Sequence, residues 1–286
     1  MDGHRCTGHP WLKLVPRFIT LTTDFGLADP YVASIKGSIL SINPDAAVID
    51  VSHDIRPQHI EQAVFVLGYA LPYLPEDSLH LLIVDPGVGT DRRAIALTTP
   101  IGTFIAPDNG LLSVALPEDV RDSIGESDAT VALPPNYDAF ELTHDAYHRK
   151  PVSATFHGRD IFGPVAAHLS LGLSPQELGP SVPAVIAIPP FRARIEDDGS
   201  LSGRVVHVDR YGNLITNVRG DQIASRNISI EVAGRTIDRL NRTYADAPGL
   251  TAIIASTGFL AIVITNGNAA NELGLDIGAA IRVSRT

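Results

Sequence analysis

The chain has 286 residues, 44% of them hydrophobic and 19% charged, the balance of an ordinary globular protein long enough for about two domains. A formal net charge of −10, from 22 Lys and Arg against 32 Asp and Glu, works against nucleic acid or an anionic membrane surface as a partner. The single Cys6 excludes an internal disulfide and any multi-thiolate zinc site. The opening MDGHRCTGHPWLKLVP lacks the apolar run of a signal peptide, and no stretch reaches the roughly 18 apolar residues of a spanning helix. A cytoplasmic chain with a flexible tail over residues 1–17 is expected.

Phe18–Thr22 is predicted as a buried strand that runs out at Asp24. Asp29-Pro30, an N-cap with proline in the first turn, opens a helix through about Ser41. Ala47–Val51 is a second strand. Pro57 to about Leu71 is a second helix, with apolar Ile60, Val64, Leu67 and Leu71 on one face. Leu79–Val84 is a third strand, ending at Asp85, and shorter strands follow near Ala94–Thr98 and Thr103–Ala106. A helix over about Asp160–Leu171 stops at Gly172. This alternation predicts an α/β domain over residues 18–188 built on a parallel sheet, which binds ligands outside the carboxyl ends of its strands. Asp24 and Asp85 both stand at such ends.

The pattern changes at Pro189-Pro190-Phe191. Short runs follow at Leu201–Asp209, Leu214–Val218, Ile228–Val232, Ala252–Ala255, Phe259–Thr265 and Ala280–Ser284, with one brief helix near Ala269–Leu273. They predict a small all-β barrel or sandwich over residues 189–286.

Several motifs lead nowhere. Asp24-Phe25-Gly26 and His157-Gly158-Arg159-Asp160 echo protein kinases, but in reversed order and without the Gly-rich loop or strand lysine. Gly87-Val88-Gly89 lacks both the third glycine of a dinucleotide site and the Gly-Lys-Ser/Thr of a P-loop. Ten histidines include no His-Glu-x-x-His and no tight His/Asp cluster, so no metal is expected; His53-Asp54 is a loop pair of the kind that makes surface hydrogen bonds. Taken singly, Asp85 is equally a turn or cap residue, Arg92 a surface partner for Asp91, and His157 a helix cap. Asn213 and Asn268 in isolation are turn residues.

Seven segments in order change that balance: TTDFG at Thr22–Gly26, IRPQ at Ile55–Gln58, VDPGVG at Val84–Gly89, APDNG at Ala106–Gly110, TFHGRDIF at Thr155–Phe162, DRYGNLITN at Asp209–Asn217 and NGNAA at Asn266–Ala270. Together they resemble the S-adenosylmethionine hydroxide adenosyltransferases, relatives of the fluorinases and chlorinases, over residues 18 to 284. The resemblance implies hydrolysis of S-adenosyl-L-methionine to adenosine and L-methionine, with no cofactor, in a homotrimer whose sites lie between subunits. It implies that Asp24 holds the ribose hydroxyls and that Asp85, Arg92 and His157 surround the water. In the second domain it assigns Asp209 to the methionine amino group, Ser256 to its carboxylate, and Tyr211, Asn213, Asn268 and Ala270 to adenine. Halide-using relatives carry an aromatic residue in place of Asp85, and fluorinases carry an insertion before the APDNG-like segment that is absent here. A halogenase and a non-catalytic adenosine or S-adenosylmethionine sensor are the alternatives; a charged Asp85 repels halide, and a pure binder has no use for a water site. Asp85 and His157 are the two groups able to take a proton, and an arginine neighbour lowers a carboxylate's basicity, which favours His157 as acceptor and Asp85 as orienter.

Overall fold

The computed structural model describes residues 18–125, 127–223, 228–238, 240–246 and 248–285; the predicted tail and Cys6 lie outside them. The chain forms two compact units, one comprising residues up to Val120 with Ser127–Ile188, the other Arg121–Glu126 with Pro189–Thr286.

In the first unit, β1 (Ile19–Thr23), β2 (Val48–Ser52), β3 (Leu79–Ile83), β4 (Ala94–Thr99) and β5 (Gly102–Pro107) form one sheet with β7 (Asp138–Glu141) and β8 (Ser181–Val182), in the order β2-β1-β3-β5-β4-β7-β8. The pairs β1/β2, β1/β3 and β3/β5 are parallel, whereas β4 runs antiparallel to both β5 and β7. The sheet is therefore mixed: the two residues Pro100 and Ile101 between β4 and β5 leave no room for a crossover, so the strands close as a hairpin. A separate ribbon pairs β6 (Ala129–Ala132) with β9 (Ala184–Ala187). Every residue of β1 and β3 is buried, as central parallel strands require.

Helix α1 (Tyr31–Ile42) crosses from β1 to β2, and α2 (Ile60–Ala70) from β2 to β3. Ile35 and Ile39 of α1 share one core with Ile19 and Leu21 of β1, Leu81 of β3 and Val165, Ala166 and Leu169 of α4 (Gly163–Ser170). Both helix starts differ from the sequence expectation. Asp29 does not cap α1, whose first turn follows Pro30 without a side-chain cap. The second helix begins at Ile60 rather than Pro57, because Gln58 has φ +67 and His59 becomes the cap, its Nδ1 accepting the Gln62 N–H at 3.1 Å. Before α4, Gly158–Phe162 winds as one π turn. The short α3 (Glu118–Asp122) completes the helices of this region.

The second unit is an almost closed, barrel-like sheet. Its order is β14 (Arg235–Ile237), β13 (Ile228–Val232), β18 (Ala280–Arg285), β11 (Leu201–Val208), β12 (Leu214–Arg219), β17 (Phe259–Ile264), β16 (Leu250–Ile254) and β15 (Leu240–Asn241), with β10 (Arg194–Ile195) on β11. Val205, Leu214, Val218, Ile230, Leu260 and Ile262 fill its core. A brief α5 (Ala269–Leu273) starts at Asn268.

Candidate active site

Asp24 directly follows β1, and Asp85 lies two residues beyond β3. Thr23 and Ile83 are register partners, so the two acids leave the sheet side by side. The crossover from β1 departs toward β2 on one side, and β3 lies on the other; this is the switch point where open α/β sheets place their ligands.

Arg92 precedes β4 and turns back to Asp85. Its Nε donates to Asp85 Oδ1 at 2.9 Å and its Nη2 to Oδ2 at 2.5 Å, a bidentate pair whose side chains are 11% and 6% exposed. Gly87 makes room for this: a Cβ there would sit 3.2 Å from Arg92 Cγ. The guanidinium also stacks over Phe162, 5.3 Å from the ring centre, and Nη2 lies 2.8 Å from His157 Nδ1. His157 occupies a helix-start position but makes no capping bond, so the capping role considered for it is not the one adopted. Gly158 beside it faces Ile83 and Ile35, where a Cβ would meet their Cδ1 atoms at 3.1 and 3.2 Å. Burial, and after it the Arg92 charge, holds the His157 imidazole below 6.5.

Arginine only donates hydrogen bonds, so His157 Nδ1 is an acceptor and the proton of the neutral ring sits on Nε2. The one basic lone pair of His157 is thus occupied. Each Asp85 oxygen accepts a single bond from Arg92 and keeps acceptor capacity for water.

Asp85, His157 and Asp24 line one cavity of about 370 Å³, together with Phe25, Tyr31, Gln58 and Phe156. Asp24 Oδ2 accepts the Gln58 backbone N–H at 2.8 Å. Burial pushes its carboxyl above 3.8, and the nearby Asp85 charge acts in the same direction against the Gln58 bond. Phe25, Tyr31 and Phe156 pack together with centroids 5.3 to 5.9 Å apart, Phe156 standing edge to face with the other two. Sequence reasoning missed Gln58 and these rings as lining residues. The IRPQ segment was visible, but the positive φ that turns the Gln58 N–H to Asp24 was not.

The second arginine of the motif is structural. Arg93 binds the buried Asp108, which also accepts the Ile186 N–H at 2.7 Å, while Asn109 Nδ2 donates to the Val84 carbonyl at 2.9 Å. Asp160 likewise spans Arg159 and the Ser153 N–H, tying the 149–153 loop to the start of the π turn.

In the second unit, Asp209 Oδ1 accepts the N–H groups of Tyr211 and Asn213, both at 2.9 Å, and Oδ2 accepts Asn213 Nδ2 at 2.8 Å. Asn268 caps α5 through the Asn271 N–H, and the Ala270 N–H donates to the Gly212 carbonyl at 3.0 Å. Any side chain at Gly212 would strike Asn268. The DRYGN and NGNAA segments therefore form one cluster, with Asn213 buried and Tyr211 77% exposed. Ser256 lies exposed in the turn between β16 and β17. Among the described residues, no group of three or more His, Cys, Asp or Glu forms a metal cage, and no helix is long and apolar enough to cross a membrane.

A cavity at the switch point, with a carboxylate and an imidazole on its wall that one guanidinium holds together, defines a small-molecule enzyme of α/β-plus-barrel architecture. The models of the SAM hydroxide adenosyltransferase N-terminal and C-terminal domains match residues 19–179 and 203–282, and the chain belongs to that family. It is 40% identical over 271 residues to an (R)-S-adenosyl-L-methionine hydrolase of Salinispora arenicola, covering 93% of this chain and 97% of the relative. A fluorinase of Actinopolyspora mzabensis is more distant, 24% identical over 305 residues and 94% and 97% of the two chains. The crystal structure of an uncharacterized conserved protein from Thermotoga maritima superimposes with a TM-score of 0.80 at 32% identity, covering 94% of this chain and all of that one.

Proposed function

We propose that the protein hydrolyses S-adenosyl-L-methionine to adenosine and L-methionine by in-line attack of water at C5′. The observation that carries this is the hydrogen-bonded Asp85–Arg92–His157 group, whose acid and imidazole share a cavity with Asp24. A sulfonium leaves as a neutral thioether, so the chemistry needs neither an acid for the leaving group nor a cofactor. What it needs is one oriented water, freed of competitors. The oxygen–C5′ bond forms as the C5′–sulfur bond breaks, and the sulfur keeps the electron pair. The water's proton passes to Asp85, whose oxygens retain acceptor capacity, while the His157 Nε2–H is the donor available to hold the oxygen. Arg92 keeps both in place and stabilises developing hydroxide.

Asp24 takes the ribose hydroxyls in this proposal. Asp209, Ser256, Tyr211, Asn213, Asn268 and Ala270 serve the methionine and adenine ends, supplied from a neighbouring subunit of a cytoplasmic homotrimer. The 77% exposure of Tyr211 supports this, since an aromatic so open is available to stack on a base. Closer identity to hydrolases than to fluorinases, and the charge of Asp85, favour water over halide.

Incubation with S-adenosyl-L-methionine in chloride-free buffer, with adenosine and methionine followed by chromatography, tests the assignment. Wild-type protein is expected to form both, and Arg92→Ala and Asp85→Asn to lose about 10²-fold or more in rate. Tight binding without turnover in the wild type would replace the enzyme by a sensor, and full activity in Asp85→Asn would remove Asp85 from the reaction.

A further inference from the structure

The loop after β2 contains a buried histidine that the mechanism does not use. His53 is 5% exposed, and its Nδ1 lies 2.8 Å from Oγ1 of the fully buried Thr23, the residue preceding Asp24. Its Nε2 lies 3.1 Å from Asp50 Oδ1, and Asp50 Oδ2 accepts Lys36 Nζ at 2.6 Å. A carboxylate 3.1 Å from Nε2, though not aligned for a hydrogen bond, disfavours a lone pair there and favours the proton on that atom, which leaves Nδ1 as the acceptor for the Thr23 hydroxyl. The His53 carbonyl accepts the Gly26 N–H at 2.7 Å, and Thr23 Oγ1 in turn accepts the Phe25 N–H at 3.4 Å. The same loop ends at Gln58, whose N–H binds Asp24 Oδ2. The turn that carries Asp24 is thus gripped on the residue before it, two residues after it and on the carboxylate itself, all by one loop.

The structure assigns His53, through the chain Lys36–Asp50–His53–Thr23, as a positioning residue that fixes the Asp24 carboxylate for a vicinal diol. This rests on the proposal above that Asp24 binds the ribose. A residue that merely stabilised the fold would weaken every ligand of the cavity alike. A residue that aims Asp24 acts only on ligands that carry the two hydroxyls, and that difference can be measured.

The probes are adenosine and 2′,3′-dideoxyadenosine, titrated calorimetrically into the full chain. Wild-type protein is expected to prefer adenosine, and Asp24→Ala to lose the preference. His53→Ala is expected to weaken adenosine about tenfold, roughly the loss of one well-placed hydrogen bond, and to change dideoxyadenosine less than about twofold. His53→Asn, whose Oδ1 replaces Nδ1 as acceptor, is expected to restore most of the preference. Should His53→Ala fail to fold, Thr23→Val removes the same hydrogen bond from the other side and is expected to show the same diol-selective loss. Equal weakening of both probes in His53→Ala or Thr23→Val, with the Asp24→Ala effect intact, overturns the positioning role alone. A preference for adenosine that survives Asp24→Ala overturns the ribose assignment and this inference together.

Discussion

A guanidinium has five donors and no acceptor, so the 2.8 Å approach of Arg92 to His157 Nδ1 settles more than a contact. It fixes the tautomer of the neutral ring and removes its lone pair from proton chemistry. The sequence favours His157 as proton acceptor, on the ground that Arg92 weakens Asp85 as a base; in the reaction proposed above the acceptor is Asp85 and His157 the donor, a reading supported by the occupied Nδ1. A pH profile distinguishes the two. The folded imidazole is held below 6.5 by burial and by the Arg92 charge, so it stays neutral from above 6.5 down to that lowered value. Protonation puts a hydrogen on Nδ1 facing a cation, breaks the bond and splays the group. Turnover is therefore expected to be flat above 6.5 and to fall as pH drops through a midpoint below it. In His157→Gln, which keeps an amide N–H but does not titrate, that acid limb should vanish. A limb centred above 6.5 in the wild type would contradict the arrangement.

Elements, more than individual side chains, were legible in the sequence. The apolar runs of β1 and β3 end abruptly at Asp24 and beside Asp85, and a strand that runs out at an acid marks the functional edge of a parallel sheet. Asn213 and Asn268, taken singly, read as turn residues, because the contact joining their loops is tertiary. The π turn at Gly158–Phe162 and the positive φ of Gln58 were not readable either. Each depends on what packs against the segment, not on its own periodicity. Gly89 shows how tight such packing is. Its φ is +79, and an added Cβ would strike the Ala154 carbonyl, so the loop carrying Arg92 touches the segment that carries His157. Gly199 has a φ of +77 with nothing within 4 Å. Both Gly→Ala changes incur the backbone strain of about 1–2 kcal/mol, but only Gly89→Ala adds a clash. Thermal melts with parallel assays should show a modest stability loss and full turnover for Gly199→Ala. Gly89→Ala should lose more stability and most of its activity. Equal effects of the two changes would mean that the contact at Ala154 is soft.

At the scale of the whole molecule, the two cores differ in what acid does to them. His80 is 1% exposed within the first unit's sheet, with its Nδ1 2.9 Å from Thr20 Oγ1 and its ring 4.6 Å from that of Phe104. Burial lowers its imidazole from 6.5 to about 4, and burial also lowers His148, His157 and His168 of the same unit. Between those values the unfolded chain binds protons that the folded unit refuses, so stability is complete above 6.5 and is lost as pH falls toward 4. At 1.36 kcal/mol per unit, His80 alone accounts for about 3 kcal/mol of that loss, against a typical domain stability of about 5–15 kcal/mol. Asp24, raised by burial, has the opposite sign. The barrel-like unit holds a single histidine, His207, and its shifted carboxyls, Asp198 at about 2 and the lowered Asp246, lose their contribution only below 3.8. Acidification from pH 7 to pH 5 is therefore expected to loosen one unit and spare the other. Hydrogen exchange read by mass spectrometry, corrected for the intrinsic pH dependence, should show β1, β3 and β5 losing protection while β11, β12 and β17 retain theirs. His80→Gln should remove most of the change in β1 and β3. Loss of protection first in β11 and β12 would place the acid-sensitive core in the barrel, where the distribution of buried histidines says it is not.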